Sequence, residues 1–246
     1  EALYGAICDT VHPVSTPESA EMSKIIENTF RAVNIALVNE LAMLADRMGI
    51  DIWEAIEASS TKPFGFMPFW PGPGLGGHCI PIDPFYLAWR ARAFDTDSEF
   101  VELAGRINVN MPYYATSRIA RSLNARGKAV KDAQVLLLGM AYKADVGDLR
   151  ESPSLKLLEL LRAEGADVTY HDPHVATLPD EGLSSVELTP EMLAAADCVV
   201  IATAHTAVDL AIVVEYADLV VDLRNAVRHR LGDGVAGAVP ANVDVL

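Results

Sequence analysis

The chain has little cysteine, few basic residues and no long apolar run. Its three cysteines, Cys8, Cys79 and Cys198, are far apart and odd in number. With no CxxC and no zinc-ligand spacing, they point away from a disulfide framework and toward a reducing, cytoplasmic setting. Lys and Arg number 19 against 34 Asp and Glu, a net charge of −15. A nucleic-acid partner is therefore not expected, since such proteins carry a basic face. A small anionic ligand remains compatible, because a pocket needs only a few local cations. No stretch approaches the roughly 20 apolar residues of a membrane span, and no basic-then-apolar leader opens the chain. No membrane partner is expected. The first residue is Glu1, not Met, so the sequence reads as a piece of a longer chain.

What is present is a 51% apolar chain of 246 residues, enough for one large domain or two ordinary ones. Residues 1–14 read as the tail of an earlier unit. Ser15-Thr16-Pro17-Glu18 is a strong helix start, with a hydroxyl cap, a proline for the first turn and an acid at the positive end of the dipole. Ile26, Phe30, Val33, Leu37, Leu41, Leu44 and Met48 recur at three- and four-residue steps, which predicts one buried stripe ending at Gly49. Such a helix is about 50 Å long, a length suited to a domain spine or a dimer interface. Asp51–Ala58 predicts a short helix and Ser59–Pro84 a long irregular loop, which in a compact chain is usually functional. Helix is expected again over Pro84–Ala93 and over Ser98–Arg126, with a kink at Pro112 and a stop at Gly127.

At Lys128 the texture changes. Apolar strand-like runs at 134–139, 167–171, 198–202 and 219–222 alternate with helical patterns at 154–163, 190–196 and 207–216. That alternation predicts a parallel sheet covered on both faces. The expected fold class is α/β. A remnant (1–14) precedes a central all-helical domain with a long spine helix (15–127), followed by a Rossmann-like parallel α/β sheet domain (128–246).

The chemistry-bearing stretch is Gly72-Pro73-Gly74-Leu75-Gly76-Gly77-His78-Cys79-Ile80-Pro81-Ile82-Asp83-Pro84. Its glycines match G-x-G-x-x-G by letter, but the dinucleotide fingerprint needs a strand before it and a helix directly after it. Here Trp70-Pro71 precede and Cys79-Ile80-Pro81 follow, so the glycines are read as permitting close backbone approach to a ligand. Cys79 has two readings: a small buried apolar residue, or an exposed nucleophile beside His78 and Asp83. Lys24 and Asn28 share one helix face, either a solvated face or, with Asn34 and Asn39, a line of polar contacts. The turn Gly139-Met140-Ala141-Tyr142-Lys143 follows a strand but has Ala141 where the fingerprint has glycine. Lys143, Arg150 and Arg224 lie near carboxyl ends of strands, where such sheets bind ligands; they suit a diphosphate or are ordinary surface charges. His171-Asp172-Pro173-His174 reads as a turn, and no metal is assigned.

On Glu21-Met22-Ser23-Lys24-Ile25-Ile26-Glu27-Asn28, Gly76-Gly77-His78-Cys79-Ile80-Pro81-Ile82-Asp83, Gly139-Met140-Ala141-Tyr142-Lys143-Ala144-Asp145 with Leu149-Arg150-Glu151-Ser152, and Val221-Asp222-Leu223-Arg224-Asn225, the chain resembles the UDP-glucose/GDP-mannose dehydrogenase family. His78 and Ile82 stand where the UDP-glucose and GDP-mannose enzymes have Ser and Lys. With Lys62–Phe69 they resemble the branch that oxidises C6 of UDP-N-acetyl-glucosamine or -mannosamine. The resemblance implies a four-electron oxidation with two NAD per turnover, passing through a thiohemiacetal and a thioester on Cys79. It implies oxyanion stabilisation by Lys24, positioning by Asn28 and base catalysis by Asp83. It further implies a UDP-sugar wrapped by Trp70, Gly72, Gly74, Leu75 and Gly76 and contacted by Tyr142, Lys143 and Arg224, with Arg150 on NAD. The family's main NAD site lies in an N-terminal domain that the resemblance leaves outside this chain, so the chain alone is expected to be inactive and to dimerise through its long helix. Other expectations are a UDP-glucose or GDP-mannose 6-dehydrogenase, a β-hydroxyacid dehydrogenase, which also has a Lys and an Asn four apart, and a non-catalytic nucleotide-sugar-binding module.

Overall fold

The computed structural model describes residues 2–232 and 239–246. The spine helix α1 spans Pro17–Met48. Its ends are where the local signals put them: Thr16 Oγ1 accepts the Ser19 N–H at 3.2 Å, and Gly49 closes it at φ 68°. Its faces are not. The buried positions are Asn28, Ala32, Ala36, Val38, Asn39, Ala42 and Ala45. Of the stripe expected to be buried, Ile26, Phe30, Leu37, Leu41, Leu44 and Met48 are between 42% and 61% exposed. The reason is steric. Alanines let α4 (Glu99–Ala125) lie close against α1, and the bulky residues are displaced to the opposite side.

α2 (Ile52–Ser60) starts on Asp51, whose Oδ1 accepts the Trp53 and Glu54 N–H groups. The long loop then leads to α3 (Asp83–Ala91). α4 runs as one helix through Pro112, where a kink was expected. Residues 4–6 form a 3₁₀ turn in the largely exposed first segment.

Beyond Gly127 come β1 (Gln134–Leu138), α5 (Pro153–Ala163), β2 (Asp167–His171), a small hairpin of β3 (Thr177–Leu178) and β4 (Leu183–Ser184), α6 (Pro190–Ala195), β5 (Cys198–Ile201), α7 (Leu210–Tyr216), β6 (Val220–Asp222), α8 (Ala226–Leu231) and β7 (Val243–Val245). The main sheet has five parallel strands in the order β2-β1-β5-β6-β7. The order reverses between β1 and β5, and the crevice outside their carboxyl ends is where open parallel sheets place ligands. Gly139 makes the turn there. Its φ is +86°, and a Cβ on it would come within 2.3 Å of the Thr203 carbonyl oxygen. β7 and the β3–β4 hairpin are too short to show a period and are absent from the sequence expectation.

Side chains alternate across the sheet. Leu136, Leu138, Val199 and Ile201 pack with Leu193, Leu210, Val213 and Val227 on one face. Val135, Leu137, Val200 and Val221 pack on the other with α5 and with Met111, Ala115, Ile119 and Leu123 of α4. The helical part and the sheet therefore share one core through α4, and Gly127 is a seam in sequence rather than in packing. The C-terminus closes the same seam: Leu246 C=O accepts Trp53 Nε1–H at 2.8 Å and Val245 C=O accepts Arg118 Nη2–H at 2.6 Å. Among the described residues no helix is long and apolar enough to cross a membrane.

Candidate active site

Asp83 opens α3, directly after the glycine-rich loop. Its Oδ2 accepts from Asn28 Nδ2 at 2.7 Å and from Lys24 Nζ at 3.2 Å, across 55 and 59 positions of sequence. Lys24 and Asn28 stand one turn apart on α1, Asn28 buried and Lys24 largely exposed. The Cys79 carbonyl accepts the N–H groups of Ile82 (3.1 Å) and Asp83 (2.8 Å), so the cysteine turn caps the start of α3. The Lys24 ammonium faces both the Asp83 carboxylate and the Cys79 sulfur, and these two, the carboxylate foremost, hold its pKa above the usual lysine value. A sulfur, a cation, a carboxylate and a buried amide thus meet at the loop. That set can capture an electrophilic carbon, stabilise charge on its oxygen and handle a proton.

The loop is anchored by a chain of amides. Asn39 Oδ1 accepts the Gly72 N–H at 3.0 Å, Asn39 Nδ2 donates to Asn108 Oδ1 at 3.0 Å, and Asn108 Nδ2 donates to the Ala32 carbonyl at 3.0 Å. Gly77 N–H donates to the Arg150 carbonyl at 2.9 Å. At these glycines the sheet half of the chain comes close to the loop backbone. A Cβ on Gly76 would stand 2.5 Å from Tyr142 Cβ, and one on Gly72 would stand 2.6 Å from Arg224 Nη1. Gly74 abuts Pro153, and Leu75 lines a small apolar hollow of about 60 Å³ with Ile80, Phe85 and Val101. Trp70 is engaged internally: its ring stacks on Trp53 at 5.6 Å and 12°, with His229 edge-on. That leaves one face of the indole unavailable to a ligand.

Arg224 extends along the strand ends, where its Nε donates to the Ala202 carbonyl at 2.8 Å. Burial lowers its guanidinium to about 10, with the Asp222 carboxylate opposing. Arg150 is held by Asp148, with Nε and Nη2 donating to its two oxygens, and that pairing draws Asp148 down to about 2. Cys79 and Tyr142 lie within electrostatic reach of the Arg150 charge. Lys143 is exposed next to Tyr142. The loop thus meets the sheet half at Arg224 through Gly72 and at Tyr142 and Arg150 near Cys79, while Lys24, Asn28 and Asp83 gather on its helical side.

Four residues outside the sequence expectation shape this region: Asn108, Asp148, Asp172 and His205. Asn108 had a signal, an amide on a largely apolar helix face. Asp172, just past β2, is buried and accepts from Met140 N (2.6 Å), Ala141 N (3.1 Å) and His205 Nε2 (3.0 Å). Asp145, His174 and His205 bring one potential ligand atom each to within 4.8 Å of one another. Both His205 nitrogens are already engaged, Nε2 with Asp172 and Nδ1 by the Asp145 N–H at 3.0 Å, so its lone pair is not free for a cation. Although burial opposes it, the His205 and backbone hydrogen bonds bring Asp172 down to about 2. A depressed carboxylate stabilises the fold above its unfolded pKa, near 3.9, and that contribution is lost as pH falls through the folded value. Asp172→Asn is therefore expected to cost about 2 kcal/mol at neutral pH, with the gap to the parent closing between about pH 4 and pH 2 in urea melts.

Comparison with known proteins places this arrangement. The UDP-glucose/GDP-mannose dehydrogenase family's central-domain model matches residues 18–110, and its UDP-binding-domain model matches residues 136–229. A UDP-N-acetyl-D-mannosamine dehydrogenase of Pyrococcus horikoshii is 40% identical over 205 residues, 83% of this chain and 46% of that protein. A UDP-N-acetyl-D-glucosamine 6-dehydrogenase of Pseudomonas aeruginosa is 35% identical over 210 residues, 84% of this chain and 49% of that protein. The solved structure of a UDP-D-ManNAc dehydrogenase from Pyrococcus horikoshii superposes with a TM-score of 0.77 at 33% identity, covering 92% of this chain and 51% of that one. The chain spans about half the length of the curated relatives it matches. Two successive domains, matched in order on the residues that form the site, make the conclusion direct: the chain belongs to the UDP-glucose/GDP-mannose dehydrogenase family.

Proposed function

We propose that this chain is the substrate-handling half of a nucleotide-sugar 6-dehydrogenase that converts the C6 alcohol of a UDP-N-acetylhexosamine to the carboxylate. The observation that carries the reading is the meeting of Lys24, Asn28 and Asp83 beside Cys79. His78 and Ile82 favour an N-acetylhexosamine over UDP-glucose or GDP-mannose. A β-hydroxyacid dehydrogenase has no use for a cysteine faced by a lysine, and a purely binding module has no use for a buried amide and a cation on one carboxylate.

NAD, when bound, accepts the electron pair of each of the two oxidations. Among the described residues nothing forms a nest for its pyrophosphate: the Gly72–Gly77 match lies in a loop, and Asp172 fills the turn after β1. Its main site is therefore assigned to residues outside this chain, with Arg150 reaching it from this side.

The chain's own work is capture and release. The Cys79 sulfur gives up its proton and adds to the C6 aldehyde: a C–S bond forms, the C=O π bond opens, and the carbonyl oxygen takes up a proton as the thiohemiacetal hydroxyl. Lys24 stabilises charge on that oxygen, and Asn28 fixes its direction. After the second oxidation the carbon is a thioester. Water, deprotonated through Asp83, attacks it, the C–S bond breaks, and the uronate and the Cys79 thiol are released. Arg224, Tyr142 and Lys143 hold the nucleotide. A second copy covers the exposed stripe of α1.

Alkylation tests the site without turnover. Saturating UDP-N-acetylhexosamine is expected to slow labelling of Cys79 at least about tenfold, as followed by mass spectrometry of its peptide. Exposed Cys8 serves as the internal control, and buried Cys198, its thiol pKa pushed up by burial, stays unlabelled. Equal Cys79 rates with and without ligand overturn the reading.

A further inference from the structure

In a dinucleotide-binding α/β domain, the backbone amides of the turn after the first strand point at the ligand's pyrophosphate. In this sheet the equivalent amides are already occupied. Met140 N–H (2.6 Å) and Ala141 N–H (3.1 Å) both donate to Oδ2 of Asp172, a buried side chain from the end of the neighbouring strand β2. Its other oxygen accepts from His174 N (2.8 Å) and Val175 N (3.1 Å), so the carboxylate is fully coordinated by the chain itself.

His205 extends the arrangement. Its Nε2 donates to Asp172 Oδ2 at 3.0 Å, and its Nδ1 accepts the Asp145 N–H at 3.0 Å. Asp145 is tied in turn by Thr206, whose N–H and hydroxyl reach Oδ1 at 2.8 and 2.9 Å. Thr203 Oγ1 donates to the Ala141 carbonyl and Ser152 Oγ to the Met140 carbonyl, both at 2.7 Å. The loop is therefore held at Met140-Ala141 on one side and at Asp145 on the other. Between these ties lie Tyr142, whose own N–H donates to the Asp148 carbonyl at 3.0 Å, Lys143 and Ala144.

We propose that Asp172 is a built-in anion filling the phosphate turn of this domain, and that with His205 it is a positioning pair for Tyr142 and Lys143, directing a ligand's diphosphate to the outer side of the loop beside Arg224. The pair touches no ligand itself. Its effect reaches the ligand through the loop backbone, which rests on the nucleotide-binding reading above.

The test uses the 246-residue chain and two readouts, thermal melting and calorimetric UDP binding, for the parent and Asp172→Ala. The alanine empties the turn and leaves the N–H groups of Met140, Ala141, His174 and Val175 and the His205 Nε2–H facing a cavity the size of a small carboxylate. Formate is expected to raise the melting temperature of Asp172→Ala well beyond any change in the parent. UDP affinity is expected to fall about tenfold or more in Asp172→Ala and to recover with formate. A purely structural role would lower the melting temperature with no formate-dependent recovery of UDP affinity. If Asp172→Ala does not fold, Asp172→Asn keeps an acceptor oxygen but loses the charge, and its UDP affinity is expected to fall by a similar factor. Formate shifting parent and Asp172→Ala alike overturns the built-in anion, and unchanged UDP affinity in a folded variant overturns the positioning role. A parent chain that binds no UDP refutes the nucleotide reading instead, and the formate shift still decides whether Asp172 is an internal anion.

Discussion

Replacing Cys79 with alanine is expected to end uronate formation while leaving the protein folded and the first oxidation chemically possible. The assay requires a polypeptide that joins this chain to an NAD-binding domain, with the sugar product analysed by mass spectrometry. Removing a covalent nucleophile from a site whose groups act together costs on the order of 10⁴-fold or more in rate. The fold is expected to survive because the cysteine's structural duty is carried by its backbone. Its carbonyl caps α3 through Ile82 N and Asp83 N, which alanine preserves, and its side chain is only half-buried. Lys24, Asn28 and Asp83 keep their mutual hydrogen bonds without the sulfur. The aldehyde should therefore appear when an aldehyde trap is added, while uronate does not. Uronate at a rate within tenfold of the parent would eliminate the covalent route and leave Asp83 acting on an aldehyde hydrate.

The parts legible in the sequence were those whose cause is local. Thr16, Pro17 and Gly49 mark the ends of α1 within a turn of each end. The β1 and β5 strands are continuous apolar runs because both faces are covered. Cys79 and Asp83 stand within five residues of one loop, so their nearness is local too. What was not legible depends on neighbours distant in sequence. His171-Asp172-Pro173-His174 is indistinguishable from an ordinary turn until β2 lies beside β1 and the carboxylate meets the amides of Met140 and Ala141. The loop glycines announce close approach, but whether a ligand or the chain's own Tyr142 and Arg224 comes close is decided by how the two halves dock.

The most instructive difference is α1, and it carries the second large prediction. A period near 3.6 finds an apolar stripe but does not say what covers it. Within one chain α1 is packed through alanines, and most of the larger stripe is left about half-exposed. The same face continues into the long loop: Phe69 sits edge-on to Phe30 at 5.6 Å, and Phe64, Phe66 and Met67 beyond it are exposed. An apolar band of that extent on a helix about 50 Å long is the face proposed above to be covered by a second copy. A self-complementary two-fold contact counts each substitution twice. Leu37→Glu with Leu41→Glu is therefore expected to convert a dimer to a monomer in sedimentation, weakening association by more than about 10³-fold, since each buried leucine contributes about 1.5–3 kcal/mol and its replacement leaves a charge in the seam. Both positions are about half-exposed within the protomer, so the variant should keep the hydrogen bonds of Lys24 and Asn28 to Asp83 and bind UDP as a monomer. A parent chain that sediments as a monomer at every concentration would mean that some other surface covers this face. A variant that unfolds instead of dissociating would mean that the stripe supports the fold of one chain after all.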